Sequence, residues 1–425
     1  MTATLIERHE DSVVLQVRIP LSRSLLDTEG AIQLALNEAG LLATTEALRQ
    51  FDTDGAPLSL GSTRYTSKGQ EPKGYQTPYG EAVVPRHVYQ TAQGGATFCP
   101  LERDARIILA STPRFAQIVS HKYADLPGAR VVEDLNANHG RKTSLNVVQR
   151  LAEVVGGVAQ AKEETWHYTP PELEKPVATV GIGLDGTCML MVEDGPRQAM
   201  VGTVSLYDRD GERLHTTYVA ATPEYGKETF QQRLSREIEQ VQQLYPQAQL
   251  TGVADGSSDN WSFLGRYTDD WCLDFYHATG YLQGAAKAAH PESFRLREEW
   301  LADRCHRLKH EAGAAAAVLT ELEGLTSREL RESAREDLEK AVTYFRNQQE
   351  RMGYAERVKD GRPIGSGVTE AACKTLIKMR LCRSGAKWRE EGAAAVLSLR
   401  ALSYTPGRWQ QFWAKMDRYG FPVEN

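Results

Sequence analysis

Val177-Ala178-Thr179-Val180-Gly181-Ile182-Gly183-Leu184, closed by Asp185-Gly186, is the stretch on which the fold turns. It is an apolar, glycine-containing run of strand length, and it follows Pro176, where the period of the sequence changes. Thr187 to Val192 is a second run, ended by Asp194-Gly195, and Ala199 to Tyr207 a third, ended by Asp210-Gly211. Asp-Gly between apolar runs is a hairpin signal, so a three-strand meander is expected. Lys227 to Tyr245 then carries Phe230, Leu234, Ile238 and Val241 on one helical face. Leu250 to Asp255 reads as a short buried strand and Trp271 to His277 as another. From Gly280 to about Glu356 the pattern is helical, with Leu330, Ala334, Leu338, Val342 and Phe345 in step. A Gly-rich turn, Gly361 to Gly367, precedes a final helix from about Val368.

Outward from this core, residues 161–175 read as a linker. Residues 101–160 read as three short helices, the last starting near Thr143-Ser144 and stopping at Gly156-Gly157. Arg141 and Lys142 at its N-terminus suit a helix-turn-helix that meets DNA; a plain helical subdomain with solvated cations is the other reading. Residues 1–100 read as mixed, with a strand at Ser12 to Ile19, helix within Thr28 to Gln50, and loops and short strands over 53–98. The expected divisions are therefore 1–100, 101–160, 161–175, a core 176–279, a helical insertion 280–360, and a catalytic helix region 361–425.

Composition sets the limits. The 425 residues are 41% hydrophobic and 25% charged, which excludes a globally disordered chain. The length suits two to four domains at about 150 residues each. No apolar run approaches the roughly 18 residues of a membrane span, and the start to Val13 has no signal-peptide h-region. The six cysteines form no C-x-x-C pair, so neither a zinc ribbon nor a disulfide framework is expected, and the plain reading is a reduced, cytoplasmic protein. With 50 Lys and Arg against 56 Asp and Glu the net charge is −6, so the chain is no simple basic coat for nucleic acid.

The order strand, strand, strand, helix, strand, strand, helices is that of an α/β, RNase H-like core with an all-helical insertion. Asp185 ends the first strand on this reading and Asp255 the fourth. If the helix between them is a crossover, the two strands lie side by side and parallel, with both acids at one sheet edge. Glu370, in the first turn of the final helix, is placed to join them. Each acid alone is weak, because Asp before Gly is usually a turn residue; their common placement is the signal. Three carboxylates from three segments make an oxygen-only cluster suited to Mg²⁺. Two such ions can clamp the attacking and leaving oxygens of a phosphodiester.

The residues also carry a resemblance. Val180 to Gly186, Val253-Ala254-Asp255-Gly256, Asp274-Phe275-Tyr276-His277, Cys99-Pro100-Leu101-Glu102 and above all Pro363-Ile364-Gly365-Ser366-Gly367-x-x-Glu370-x-x-x-Lys374 resemble the DDE transposases of bacterial insertion sequences. The likeness is to the ISKra-type group, similar in plan to Mutator-like transposases, and spans most of the chain. It implies Asp185, Asp255 and Glu370 as the metal-binding triad, with two Mg²⁺ or Mn²⁺ ions. It implies an Asp-x-x-His element at Asp274 and His277 close by. His277 could orient a water or a phosphate, or be a structural histidine at a strand end. The implied activity is cutting of double-stranded DNA at element ends and transfer of the 3′-end into target DNA, by a dimer or higher assembly in the bacterial cytoplasm, on the nucleoid.

Between Ala371 and Arg400, seven Lys and Arg stand against two Glu, a local +5. Lys374 and Lys378 follow Glu370 at steps of four, on its helix face, and with Arg380, Arg383 and Lys387 are expected to meet DNA phosphates. Trp388 reads as core, with stacking on a base the lesser reading. Cys305, His306 and His310 read as a solvated helix face. Two rival functions remain: an actin-like ATPase or sugar kinase built on Asp185-Gly186-Thr187, and a transposase-derived DNA-binding protein without catalysis.

Overall fold

In the N-terminal part, β1 (Ala3–Arg8) and β2 (Val13–Val17) pair antiparallel. The Ser24 hydroxyl accepts from the Asp27 N–H and opens α1 (Leu25–Arg49). Then come β3 (Leu58–Leu60), β4 (Thr63–Thr77), β5 (Gly80–Thr91) and β6 (Gly94–Phe98), which form a four-stranded sheet in chain order. Here the expectation of loops and short strands is corrected: β4 and β5 make one long hairpin, paired from Tyr65↔Thr91 to Thr77↔Gly80. Its polar composition misleads because much of it faces water, while Tyr75, Ala82 and Val84 are buried together on one side. Helices α2 (Pro100–Asp104), α3 (Pro113–Asp125), α4 (Gly128–His139) and α5 (Leu145–Lys162) follow. α5 does not stop at Gly156-Gly157. A Cβ at Gly156 would lie 2.7 Å from the Ala395 Cβ and 2.9 Å from its carbonyl oxygen, so this glycine admits a close helix neighbour.

The next elements are β7 (Thr179–Met191), β8 (Gly195–Tyr207), β9 (Arg213–Ala221), α6 (Glu228–Leu244), β10 (Gln249–Ala254), α7 (Ser258–Leu264), β11 (Trp271–Leu273) and α8 (Phe275–Ala289). After them stand α9 (Phe294–His310), α10 (Ala314–Leu325), α11 (Glu332–Gln348), α12 (Tyr354–Lys359) and α13 (Gly367–Ala372). A π-helical turn, Cys373–Lys378, runs into α14 (Met379–Leu381), followed by α15 (Glu390–Tyr404) and α16 (Arg408–Tyr419).

This computed structural model describes residues 2–420. The chain is mixed α/β and forms two compact units. One contains the chain up to Trp166, Ala394–Ser403 and the residues from Trp409; the other contains His167–Ala393 and Tyr404–Arg408. The division falls inside the stretch read as a linker, and no division separates residues 1–100 from 101–160. No described helix is long and apolar enough to cross a membrane.

The second unit is built on a five-stranded sheet of order β11-β10-β7-β8-β9. β7, β8 and β9 are antiparallel neighbours, whereas β10 runs parallel to β7 and β11 parallel to β10. Val180, Ile182 and Leu184 of β7 enter one core with Phe230, Leu234, Ile238 and Val241 of α6. Burial of each such side chain contributes about 1.5–3 kcal/mol. Leu282, Leu322, Leu338 and Phe345 of α8, α10 and α11 continue that core.

The meander has three strands, but two boundaries differ from the sequence reading. Asp185-Gly186 is not a turn: β7 runs on through it, paired as Asp185↔Val201 and Gly186↔Met200. The third strand is Arg213–Ala221, not part of the earlier runs. β11 ends at Leu273, because Asp274 caps α8 there.

Candidate active site

One acid stands within a strand and a second directly follows the end of its parallel neighbour. The β7–β10 register runs from Thr179↔Gln249 to Gly183↔Val253. Continued by two residues, it sets Asp185 beside Asp255. Strands in a sheet lie about 4.7–4.9 Å apart, so these residues are near neighbours. β10 ends at Ala254 while β7 continues, so Asp185 lies where β7 loses one of its partners. The Asp255 Oδ1 accepts from the Ser257 N–H at 3.1 Å and the Asn260 Nδ2 at 3.2 Å. Its carbonyl accepts from the Tyr344 hydroxyl at 2.8 Å.

The third acid arrives through a thin place in the sheet. The face of β7 opposite its core side chains carries Gly181, Gly183 and Asp185. A Cβ on Gly183 would stand 2.1 Å from the Thr369 Oγ1, so only glycine lets α13 seat against this strand. The Thr369 and Thr203 hydroxyls are 2.7 Å apart and buried, joining α13 to β8. Glu370 follows directly. One turn on, the Cys373 Sγ donates to the Asp185 Oδ2 at 3.7 Å. Burial, then the Asp185 charge, push the Cys373 thiol up, so it stays protonated as a donor.

Asp274 holds the start of α13 in place. It is fully buried. Its Oδ1 accepts from the Tyr276 and His277 N–H groups at 2.6 and 3.1 Å. Its Oδ2 accepts from the Ser366 N–H at 2.8 Å and from the Ser366 hydroxyl. One carboxylate thus caps α8 and clasps the Gly-rich turn before α13. His277 is accordingly on the first turn of α8, not at a strand end, with its Nε2 3.7 Å from the Glu370 Oε1. The Glu370 carboxyl is raised above the ordinary carboxylate range, first by burial and then by the Asp274 charge; Asp185 adds to this, while His277 and Lys378 oppose it.

Asp185 is thus linked to Asp255 by strand register and to Glu370 by charge, with Asp274 and Asp185 the carboxylates that raise Glu370. The donors are all carboxylate oxygens, the chemistry that suits a hard divalent cation. Among the described residues, no three His, Cys, Asp or Glu side chains are already gathered at metal-binding spacing. The residue types fit such an ion; the side chains are not drawn together in advance.

The expected DNA contacts divide. Lys142, Lys374, Lys378, Arg383 and Lys387 are exposed. Arg141 is 5% exposed and internal: its guanidinium donates to the Thr77 carbonyl at 2.9 Å, to the Lys142 carbonyl and to the Gln76 side chain. Arg380 is also buried, over the Trp388 ring at 5.1 Å. These two are structural cations, which corrects their reading as phosphate contacts. Lys374 and Lys378 lie on a π-helical turn rather than an α-helix, so the four-residue spacing assumed for them does not apply. Lys378 still acts electrostatically on Glu370. Trp388 extends the sheet: its N–H donates to the Leu190 carbonyl and its Nε1 to the Leu381 carbonyl.

Sequence reading missed the Cys373 contact, the Asn260 contact and the part played by α11, whose Tyr344 and Gln348 hold the backbone of Asp255 and Gly256. The signal for α11 was its polar face, opposite the apolar positions, but such faces are ordinary. No family model matches the chain, and no curated protein matches it.

Proposed function

We propose that this protein is a DNA transposase of the DDE kind, cutting phosphodiesters at the ends of an insertion sequence and joining the freed 3′-end to target DNA. One observation carries this reading: the register of the parallel strands β7 and β10, continued two residues, sets Asp185 beside Asp255, and α13 brings Glu370 within electrostatic reach of Asp185. The RNase H-like reading of the core is supported by the sheet order, three antiparallel strands followed by two parallel ones reached through a helix.

In this reading Asp185, Asp255 and Glu370 hold the divalent ions, Mg²⁺ or Mn²⁺. When bound, such ions neutralise charge on the phosphodiester and activate a water or 3′-hydroxyl. Asp274 fixes the height of α13 and thus of Glu370. His277, beside Glu370, orients a water or a phosphate oxygen. Lys378 offers a cation to the backbone near the cut, with Lys374, Arg383 and Lys387 further along. A dimer or higher assembly on two DNA ends belongs to the same reading, as does a place on the bacterial nucleoid.

The test is cleavage of an end-labelled duplex carrying the DNA that flanks the coding sequence, with Mg²⁺ or with EDTA, by wild type and Glu370→Gln. Metal-dependent nicking at one boundary, lost in Glu370→Gln, supports the reading. Binding without cutting under every metal favours a DNA-binding protein without catalysis, and ATP-dependent turnover with no cutting favours the kinase-like alternative.

A further inference from the structure

Beyond the end of β10, the segment after α14 takes over the free edge of β7. The Trp388 N–H donates to the Leu190 carbonyl at 3.0 Å, and the Val192 N–H donates to the Trp388 carbonyl at 2.9 Å. The Cys188 carbonyl, two residues before Leu190, faces the same edge. There the Cys382 Sγ donates to it at 3.4 Å. Cys382 and Trp388 thus hold the two ends of the loop Arg383-Ser384-Gly385-Ala386-Lys387 on one strand. Among the six cysteines, all of them free thiols, only Cys188 and Cys382 are exposed. The Cys382 thiol is pushed up, first by the partial burial of its sulfur; Lys378 opposes this and the nearby Cys188 thiol adds to it.

We infer that Cys188 and Cys382 form a thiol–disulfide site, which a small disulfide such as oxidised glutathione closes into one internal bond that fastens the loop Arg383 to Lys387 to β7. The Cys382 sulfur already touches the residue it would bond to. Cys188 is exposed, so turning its side chain toward that sulfur displaces solvent rather than packed neighbours. The exchange runs in two steps. One protein thiol gives up its proton, and the resulting thiolate attacks a sulfur of the reagent, expels one glutathione thiolate and leaves a mixed disulfide. The second protein thiol also loses its proton, attacks the protein-bound sulfur and expels the other glutathione. The two protons pass through solvent to the leaving thiolates. Two protein thiols are oxidised, and one glutathione disulfide is reduced to two thiols. Thiols held this close meet at an effective concentration on the order of millimolar or more, so closure outruns capture of a second glutathione. In a reducing compartment the pair stays open.

The test incubates the folded full chain with glutathione disulfide, quenches with acid and maps the cysteines by peptide mass spectrometry. The expected product has Cys188 joined to Cys382 within one chain and the other four cysteines unlinked, and dithiothreitol reverses it. In this form amide hydrogen exchange over residues 382–387 slows by about tenfold. Cys188→Ser and Cys382→Ser, each folded by circular dichroism, instead take up one glutathione at the remaining thiol, with that exchange unchanged to within about twofold. Two glutathione adducts without an internal bond, a bond between two chains, or no reaction at either thiol overturns the inference. So does an internal bond that leaves exchange over 382–387 unchanged.

Discussion

The register of the parallel strands β7 and β10, carried two residues past its last paired position, sets Asp185 beside Asp255. Neither is in a turn of the meander: Asp185 is inside a strand that keeps pairing with β8 while β10 has ended. Asp185→Asn and Asp255→Asn should each lower metal-dependent DNA cutting at least about 100-fold while leaving the circular dichroism spectrum unchanged. Activity that survives either change would remove that acid from the site.

Glu370 makes a prediction about pH. Its carboxyl is raised by burial and by Asp274, with Asp185 adding. A cation competes with the proton there, so divalent-ion affinity should increase as pH rises through that raised range and level off above it. Glu370→Gln should flatten the profile. The stability sign is the opposite. A folded carboxyl raised above its unfolded value stabilises fully at low pH, and the contribution is lost as pH rises through the folded value. In EDTA at neutral pH, Glu370→Gln should therefore leave Tm unchanged or raise it by about 2 °C. Calorimetry with and without Mn²⁺ measures both effects.

Gly183 and Thr369 form a steric pair. Gly183→Ala forces a Cβ against the Thr369 hydroxyl and should cost about 1–3 kcal/mol. Thr369→Ala in the same chain should recover part of that loss and part of the cutting activity, since Thr369 precedes Glu370. A strictly additive double variant in urea denaturation would contradict the contact.

Asp274 is a clasp rather than a fourth ligand in this account. Asp274→Ala leaves the α8 cap and the buried Ser366 donors without a partner, and should cost about 3 kcal/mol. Ser366→Ala, which leaves the backbone bonds in place, should cost about 1 kcal/mol. Equal losses in the two variants would place the role elsewhere.

The cations separate by salt dependence. Lys374→Ala and Lys378→Ala should each reduce the slope of log affinity against log salt by about one. Arg141→Ala should lower stability, because it leaves the Thr77 carbonyl and the Gln76 side chain without their buried donor, and leave that slope unchanged. A reduced slope for Arg141→Ala would return it to the DNA surface.

Much of the core was legible because its signals are local. The α6 face Phe230, Leu234, Ile238 and Val241 is fully buried as its spacing implies, and Leu250 to Ala254 is a buried strand. What misled were residues whose roles depend on distant partners. Asp185-Gly186 has turn chemistry, yet pairing with β8 keeps it extended. Trp271 to His277 looks strand-like throughout, yet Asp274 caps a helix. Gly156-Gly157 looks like a stop, yet Ala395 needs the space. Arg141 looks like a helix-end cation, but β4 supplies acceptors far away in sequence. The π-helical turn at Cys373–Lys378 has no compositional mark at all.

The central claim is that Asp185, Asp255 and Glu370 form one cation site. Titration of the metal-free protein with Mn²⁺, followed by electron paramagnetic resonance, tests it without DNA. The account predicts saturable binding that weakens at least about tenfold in each of Asp185→Asn, Asp255→Asn and Glu370→Gln. Binding unchanged in all three, or weakened by one substitution and untouched by the other two, would contradict it.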